Sequence, residues 1–143
     1  MALTILLAED DRITLLTYAR ILSSRGHIVI KANDGQLALE ILKQNPHIDA
    51  LVTDVQMPRV SGDELVSRVR EELKNYSTQI LVISGVVSVT DGVRLLERGA
   101  NRFMVKPVRP KTLIAEIDRM NEWAQSGAVA WHVETEDEQA QTG

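Results

Sequence analysis

Five short apolar runs recur along the chain, and each gives way to polar residues. Leu3 to Ala8 is almost wholly apolar, as a strand covered on both faces requires, and Glu9, Asp10 and Asp11 end it. His27 to Ala32 is more polar, as an edge strand can be. Ala50 to Thr53, Gln79 to Ile83 and Arg102 to Val105 complete the set. Between these runs the apolar period becomes helical. Leu15, Leu16, Ala19 and Leu22 make one face, and Ala38, Leu39, Ile41 and Leu42 a second. Leu65, Val66, Val69 and Leu73 make a third, Val93 and Leu96 a fourth, and Leu113, Ile114, Ile117 and Met120 a fifth.

Punctuation agrees with this division. Gly26 suits the C-terminal cap of the first helix. Asn33-Asp34-Gly35 reads as a turn that starts the second helix, and Asn45-Pro46 stops it. Ser61 to Glu64 has the spacing of a capping box, Ser88 or Thr90 can open the fourth helix, and Pro110 fits the first helical position of the last. Strand and helix alternate five times with mostly short connections. The expected fold is α/β and doubly wound: a five-stranded parallel sheet, right-handed crossovers and five helices on its two faces.

Composition narrows the function classes. At 143 residues the chain reads as one domain, 1–125, with a tail, 126–143. There is no cysteine, hence no disulfide or thiolate chemistry, and His27, His47 and His132 lack metal-ligand spacing. No apolar run approaches the length of a membrane span, and the N-terminus lacks a basic n-region; a cytoplasmic protein with no membrane partner is expected. The net charge of −4 sits in the tail, which holds Glu134, Glu136, Asp137 and Glu138 and no Lys or Arg. The rest is neutral, with sixteen charges of each sign, so nothing points to direct nucleic-acid binding.

The polar residues at the strand ends carry the chemistry. Leu51-Val52-Thr53 delivers Asp54, and Pro58 prevents the strand from running on. Glu9-Asp10 follows the first strand, Ser84 the fourth and Lys106 the fifth. In an open parallel sheet these tips face one crevice, where such folds bind ligands. Three carboxylates, a hydroxyl and an ammonium would meet there. Mg²⁺ prefers oxygen ligands, usually one or two carboxylates with water and phosphate. Asp10 and Asp54 are the candidates for direct ligands, with Glu9 holding a metal-bound water. The set suits Mg²⁺-assisted phosphoryl transfer onto Asp54. Asp11 reads differently, as favourable negative charge at a helix start.

In order, Glu9-Asp10, Asp54-Val55-Gln56-Met57-Pro58 with Gly62, Ser84-Gly85 and Lys106-Pro107 resemble the response-regulator receiver domain of two-component signalling (CheY-like). The resemblance covers about residues 3–124. It implies the flavodoxin-like strand order 2-1-3-4-5, a main-chain carbonyl of Gln56 among the metal ligands, and a cis peptide before Pro107. It also implies a switch made of Ser84 and Phe103, and an output surface on helix four, strand five and helix five. The implied partners are a sensor histidine kinase or phosphotransfer protein upstream and an unidentified effector downstream; a homodimer stays open. Two positions depart from the commonest pattern: Ser84 stands where Thr is frequent, and Gly85 where Ala is usual.

Two other readings compete. A Mg²⁺-dependent phosphatase of the haloacid-dehalogenase-like kind forms an aspartyl-phosphate, but needs a second Asp two residues on, where this chain has Gln56. A degenerate receiver that binds partners without phosphorylation would not need Asp10, Asp54 and Lys106 intact. The receiver reading is the one the residues favour, and on it the domain is a phosphoacceptor signalling module rather than an enzyme acting on a separate substrate. In the tail, Val129, Trp131 and Val133 alternate with small or polar residues. Order is expected at residues 128–133, against the domain's own surface or a second copy's, and a mobile end at 135–143.

Overall fold

The structure is a computed structural model that describes residues 2–85, 88–127 and 130. Its elements follow the alternation read from the chain: β1 Thr4–Ala8, α1 Arg12–Ser24, β2 Ile28–Ala32, α2 Gly35–Gln44 and β3 Ala50–Thr53. Then come α3 Gly62–Glu71, β4 Gln79–Ser84, α4 Val89–Arg98, β5 Arg102–Val105 and α5 Pro110–Gln125. The strands are parallel in the order β2-β1-β3-β4-β5.

Side-chain alternation explains why the strand runs are apolar throughout. Leu6, Ala8, Leu51, Ile80 and Val82 face a core shared with Leu39, Leu42, Leu65, Val66, Val69 and Leu95, from α2, α3 and α4. Ile5, Leu7, Val52, Leu81 and Ile83 face the other way, toward Leu15, Leu22, Leu113, Ile117 and Met120 of α1 and α5. Each fully buried side chain of this kind contributes about 1.5–3 kcal/mol, so the two cores hold the sheet from both sides.

Three expectations need correction. On α1, Leu16 is 45% exposed, and Tyr18 takes the buried place beside Leu15, Ala19 and Leu22. On α4, Val93 is 47% exposed and Leu96 only partly buried; Gly92 and Leu95 face inward. Ser61 occupies the N-cap of α3 but its side chain makes no capping hydrogen bond. Instead the Gly62 N–H donates to the Val55 carbonyl at 2.7 Å, tying the helix start to the loop after β3. Side chains cap α1, α2 and α4. Asp11, Asp34 and Ser88 accept from Thr14, Leu37 and Asp91 N–H, and Gly26, at φ 88°, follows α1 in the left-handed region.

The N-terminal ends of the strands carry a polar lock. Leu3 N–H donates to His27 Nδ1 at 3.0 Å and Thr4 N–H to Asp49 Oδ2 at 2.8 Å. Arg70, 2% exposed, donates to the carbonyls of Gly99, Asn75 and Thr78 and to Asn101 Oδ1, at 2.8–3.0 Å. Its burial pulls the guanidinium pKa down to about 10. Of the tail segment expected to be ordered, only Ala130 is described, and it is buried; the expectations for Val129, Trp131, Val133 and 135–143 lie outside the described residues.

Candidate functional site

The sheet ladder continues one residue past β1, β3 and β5, and that extension builds the site. Glu9 N–H donates to the Ala32 carbonyl at 3.0 Å, Asp54 N–H to Ala8 at 3.0 Å, and Lys106 N–H to Ser84 at 2.8 Å. Glu9, Asp54, Ser84 and Lys106 therefore stand at adjacent strand tips, with Asp10 one residue farther out. The peptide joining Lys106 to Pro107 is cis.

Lys106 Nζ lies 3.0 Å from Glu9 Oε1 and 3.3 Å from Asp54 Oδ2, so one ammonium spans both acids. Asp54 Oδ1 accepts from its neighbour's Val55 N–H at 2.7 Å, and the Asp54 carbonyl accepts from the Thr53 hydroxyl at 2.8 Å. Both ends of residue 54 are thus fixed by the residues beside it. The Glu9 side chain is only 3% exposed. Burial, reinforced by the nearby Asp54 carboxylate, outweighs Lys106 and pushes the Glu9 carboxyl up to about 7. Burial works against the Lys106 charge, but Glu9 and Asp54 outweigh it and raise the Lys106 pKa.

Oxygen atoms of Glu9, Asp10 and Asp54 lie within 4.8 Å of one another. That spacing lets all three reach one small hard cation, directly or through its water, and the surplus of negative charge over Lys106 favours one. The donor set therefore fits Mg²⁺. Asp10 is exposed, as a ligand that keeps solvent on the ion would be, and Gln56 is exposed on the loop beyond Asp54.

Ser84 is buried at the end of β4. Phe103, partly buried on β5 opposite Val82, lays its ring against Gly92 of α4, where any Cβ would collide with the ring. Tyr18 was missed in the sequence, whereas Gly62 was part of the motif and the structure supplies its steric reason. Tyr18 lines the small recess beneath Glu9, Asp54 and Lys106; its spacing from Leu15 and Leu22 was the available signal. Gly62 allows α3 to start against the Asp54 backbone, since a Cβ there would fall on the Asp54 carbonyl oxygen.

A family model described as the response regulator receiver domain matches residues 5–118. Among curated proteins, the two-component response regulator ORR11 of Oryza sativa subsp. indica is 35% identical over 106 residues, 74% of this chain and 72% of its own length. The transcriptional regulatory protein CpxR of Escherichia coli (strain K12) is 32% identical over 124 residues, 85% of this chain and 51% of that longer protein. Among solved structures, the chemotaxis response regulator CheY4 of Vibrio cholerae superposes with a TM-score of 0.77 at 28% identity, covering 84% of this chain and 99% of that one.

Proposed function

We propose, from the premise that the chain belongs to the response-regulator receiver family, that Asp54 is its phosphoacceptor and that Glu9, Asp10, Asp54 and the Gln56 carbonyl hold Mg²⁺. The observation that carries this reading is the shared ammonium: Lys106 already bridges Glu9 and Asp54 at the strand tips. Bound Mg²⁺ supplies charge neutralisation for the carboxylates and for the incoming phosphoryl oxygens. An Asp54 carboxylate oxygen forms the new O–P bond as the bond from phosphorus to the donor's imidazole nitrogen breaks, and that nitrogen retains the electron pair. Val55 N–H holds Asp54 Oδ1 during the approach. Lys106 Nζ, now beside Asp54 Oδ2, pairs with the transferred phosphoryl group, and the Ser84 hydroxyl donates to it.

The donor is a histidine kinase or phosphotransfer protein. Ile13, 77% exposed, and Leu16 lie on the first turns of α1, just after Asp10, and offer the donor an apolar foothold. The modification alters a second surface. Val89, Val93 and Val105 are exposed on α4 and β5, next to the Phe103–Gly92 contact, and support an effector face on α4, β5 and α5. Movement of Ser84 toward the phosphoryl group gives the Phe103 ring room to turn inward, which biases two arrangements of that face.

Intact-protein mass spectrometry after incubation with acetyl phosphate and Mg²⁺ tests the acceptor. One added phosphoryl group is expected on the wild-type protein and none on Asp54→Asn. Uptake by Asp54→Asn at the wild-type rate would overturn the assignment.

A further inference from the structure

A groove of about 550 Å³ runs between the end of α3 and the last turns of α4, at the opposite end of the sheet from Asp54. Lys74, Tyr76, Arg94 and Arg98 line it, with Arg70 in its wall. Glu71 and Glu97 also line it, which leaves the cations in excess by two. Arg98 pairs with Asp63 at 3.2 Å; among the described residues Lys74 and Arg94 have no acidic partner.

Ala130, five residues after α5, lies beside this groove. The carbonyl of Ala130 accepts from Asn101 Nδ2 at 2.5 Å, and Asn101 Oδ1 accepts from Arg70 Nη2 at 3.0 Å. Ala130 is therefore one side chain from the groove wall. Beyond it are thirteen residues with four acids, Glu134, Glu136, Asp137 and Glu138, and no Lys or Arg. An extended chain advances about 3.5 Å per residue, so Glu134 reaches about 14 Å from Ala130 and Glu138 about 28 Å.

We propose that the acidic segment 134–138 docks in this groove of its own domain, with its carboxylates on Lys74 and Arg94. Charge complementarity selects the site, since the domain as a whole is neutral and offers the segment no general attraction. Tethering selects the occupant. Anchoring at Ala130 gives the segment an effective concentration on the order of mM at the groove, which a separate acidic peptide must outcompete. Docked there, the segment ties the loop after α3 to the end of α4. Composition alone would have left it free.

The absence of cysteine makes the test clean. A nitroxide label on Gln139→Cys should selectively weaken the amide NMR signals of residues 71–76 and 93–98. The signals should recover when the four acids are changed to Gln, in Lys74→Glu/Arg94→Glu, and at about 1 M salt, where the screening length falls to about 3 Å. Both basic residues are exposed, so the double variant keeps the fold. Mixing isotope-labelled protein lacking the nitroxide with nitroxide-labelled protein lacking the isotope should give no weakening. Uniform or absent weakening, persistence after charge removal, or equal weakening in the mixed sample, which would make a second copy the occupant, would each overturn the proposal.

Discussion

Gly62→Ala adds one methyl group where α3 meets the acceptor loop. Its Cβ would fall on the Asp54 carbonyl oxygen and crowd the Val55 Cα, and the 2.7 Å hydrogen bond from Gly62 N–H to Val55 holds the two segments together. Both neighbours are backbone, so no rotamer change relieves the contact. Overpacking of this kind costs about 1–3 kcal/mol, and alanine's better helix propensity recovers up to about 1 kcal/mol. A net loss of about 1–2 kcal/mol corresponds, at about 4 °C per kcal/mol for a domain of this size, to a Tm lower by about 4–8 °C. The relaxation moves Asp54, so phosphoryl uptake should fall as well. Gly85→Ala is the control: its Cβ meets nothing within 4 Å, and its stability should stay within about 0.5 kcal/mol of wild type. Circular-dichroism melts and initial rates of phosphorylation by acetyl phosphate, measured on both variants, check this. If Gly62→Ala melted within about 1 °C of wild type and took up phosphate at its rate, the steric reasoning would be refuted.

Asp10→Asn should keep the fold, because residue 10 is exposed, yet weaken Mg²⁺ binding; a metal titration superimposable on wild type would remove it from the ligand set. Ser84→Ala should still be phosphorylated, but the accompanying NMR shifts in α4 and β5 should shrink; shifts of wild-type size would uncouple Ser84 from Phe103. Arg70→Met leaves four acceptors without their guanidinium donor and should cost at least about 3 kcal/mol by urea unfolding. Arg70→Lys should recover only part of that, because an ammonium lacks the guanidinium's planar fork, and full recovery would contradict the account. Burial holds the His27 pKa below its usual value, and its Nδ1 accepts from Leu3 N–H. The neutral form is native, so its stabilisation is complete above about pH 6.5 and is lost as pH falls through the depressed folded value. The gap in unfolding free energy between wild type and His27→Asn should therefore narrow from pH 7 to pH 5; a constant gap would exclude the effect.

The sheet and its order of helices were legible because every central strand is covered on both faces and so reads as an unbroken apolar run. The tips were legible because Glu9, Asp54, Ser84 and Lys106 each end such a run. What escaped depends on partners distant in sequence. Arg70 follows Val69 on α3 and reads as a solvated charge, but its acceptors at Gly99 and Asn101 lie 29 and 31 residues away. Gly92 carries no hydrophobic signal, yet it is the surface on which Phe103 rests. Leu16 and Tyr18 both lie close enough to the apolar face of α1 to serve, and the recess beneath Lys106 favours the larger ring. Ser61 has the right spacing for a capping box, but its hydroxyl turns to the Asp63 carboxylate, which itself takes the Glu64 N–H that the box would use.

Lys106 is joined to the acids by charge and to Phe103 by covalent chain, three residues back along β5. On the proposed function, sensing and display would thus share one segment shorter than two helical turns. A phosphoryl group on Asp54 would then pull on Lys106, whose own backbone leads to Phe103, alongside the route through Ser84. The rest of the domain can then be stiff. Two tightly filled cores and a bolted lower edge act as an anvil, against which the β5 tip and the helix beside it, with Val105, Val89 and Val93 exposed, are the thinly packed part.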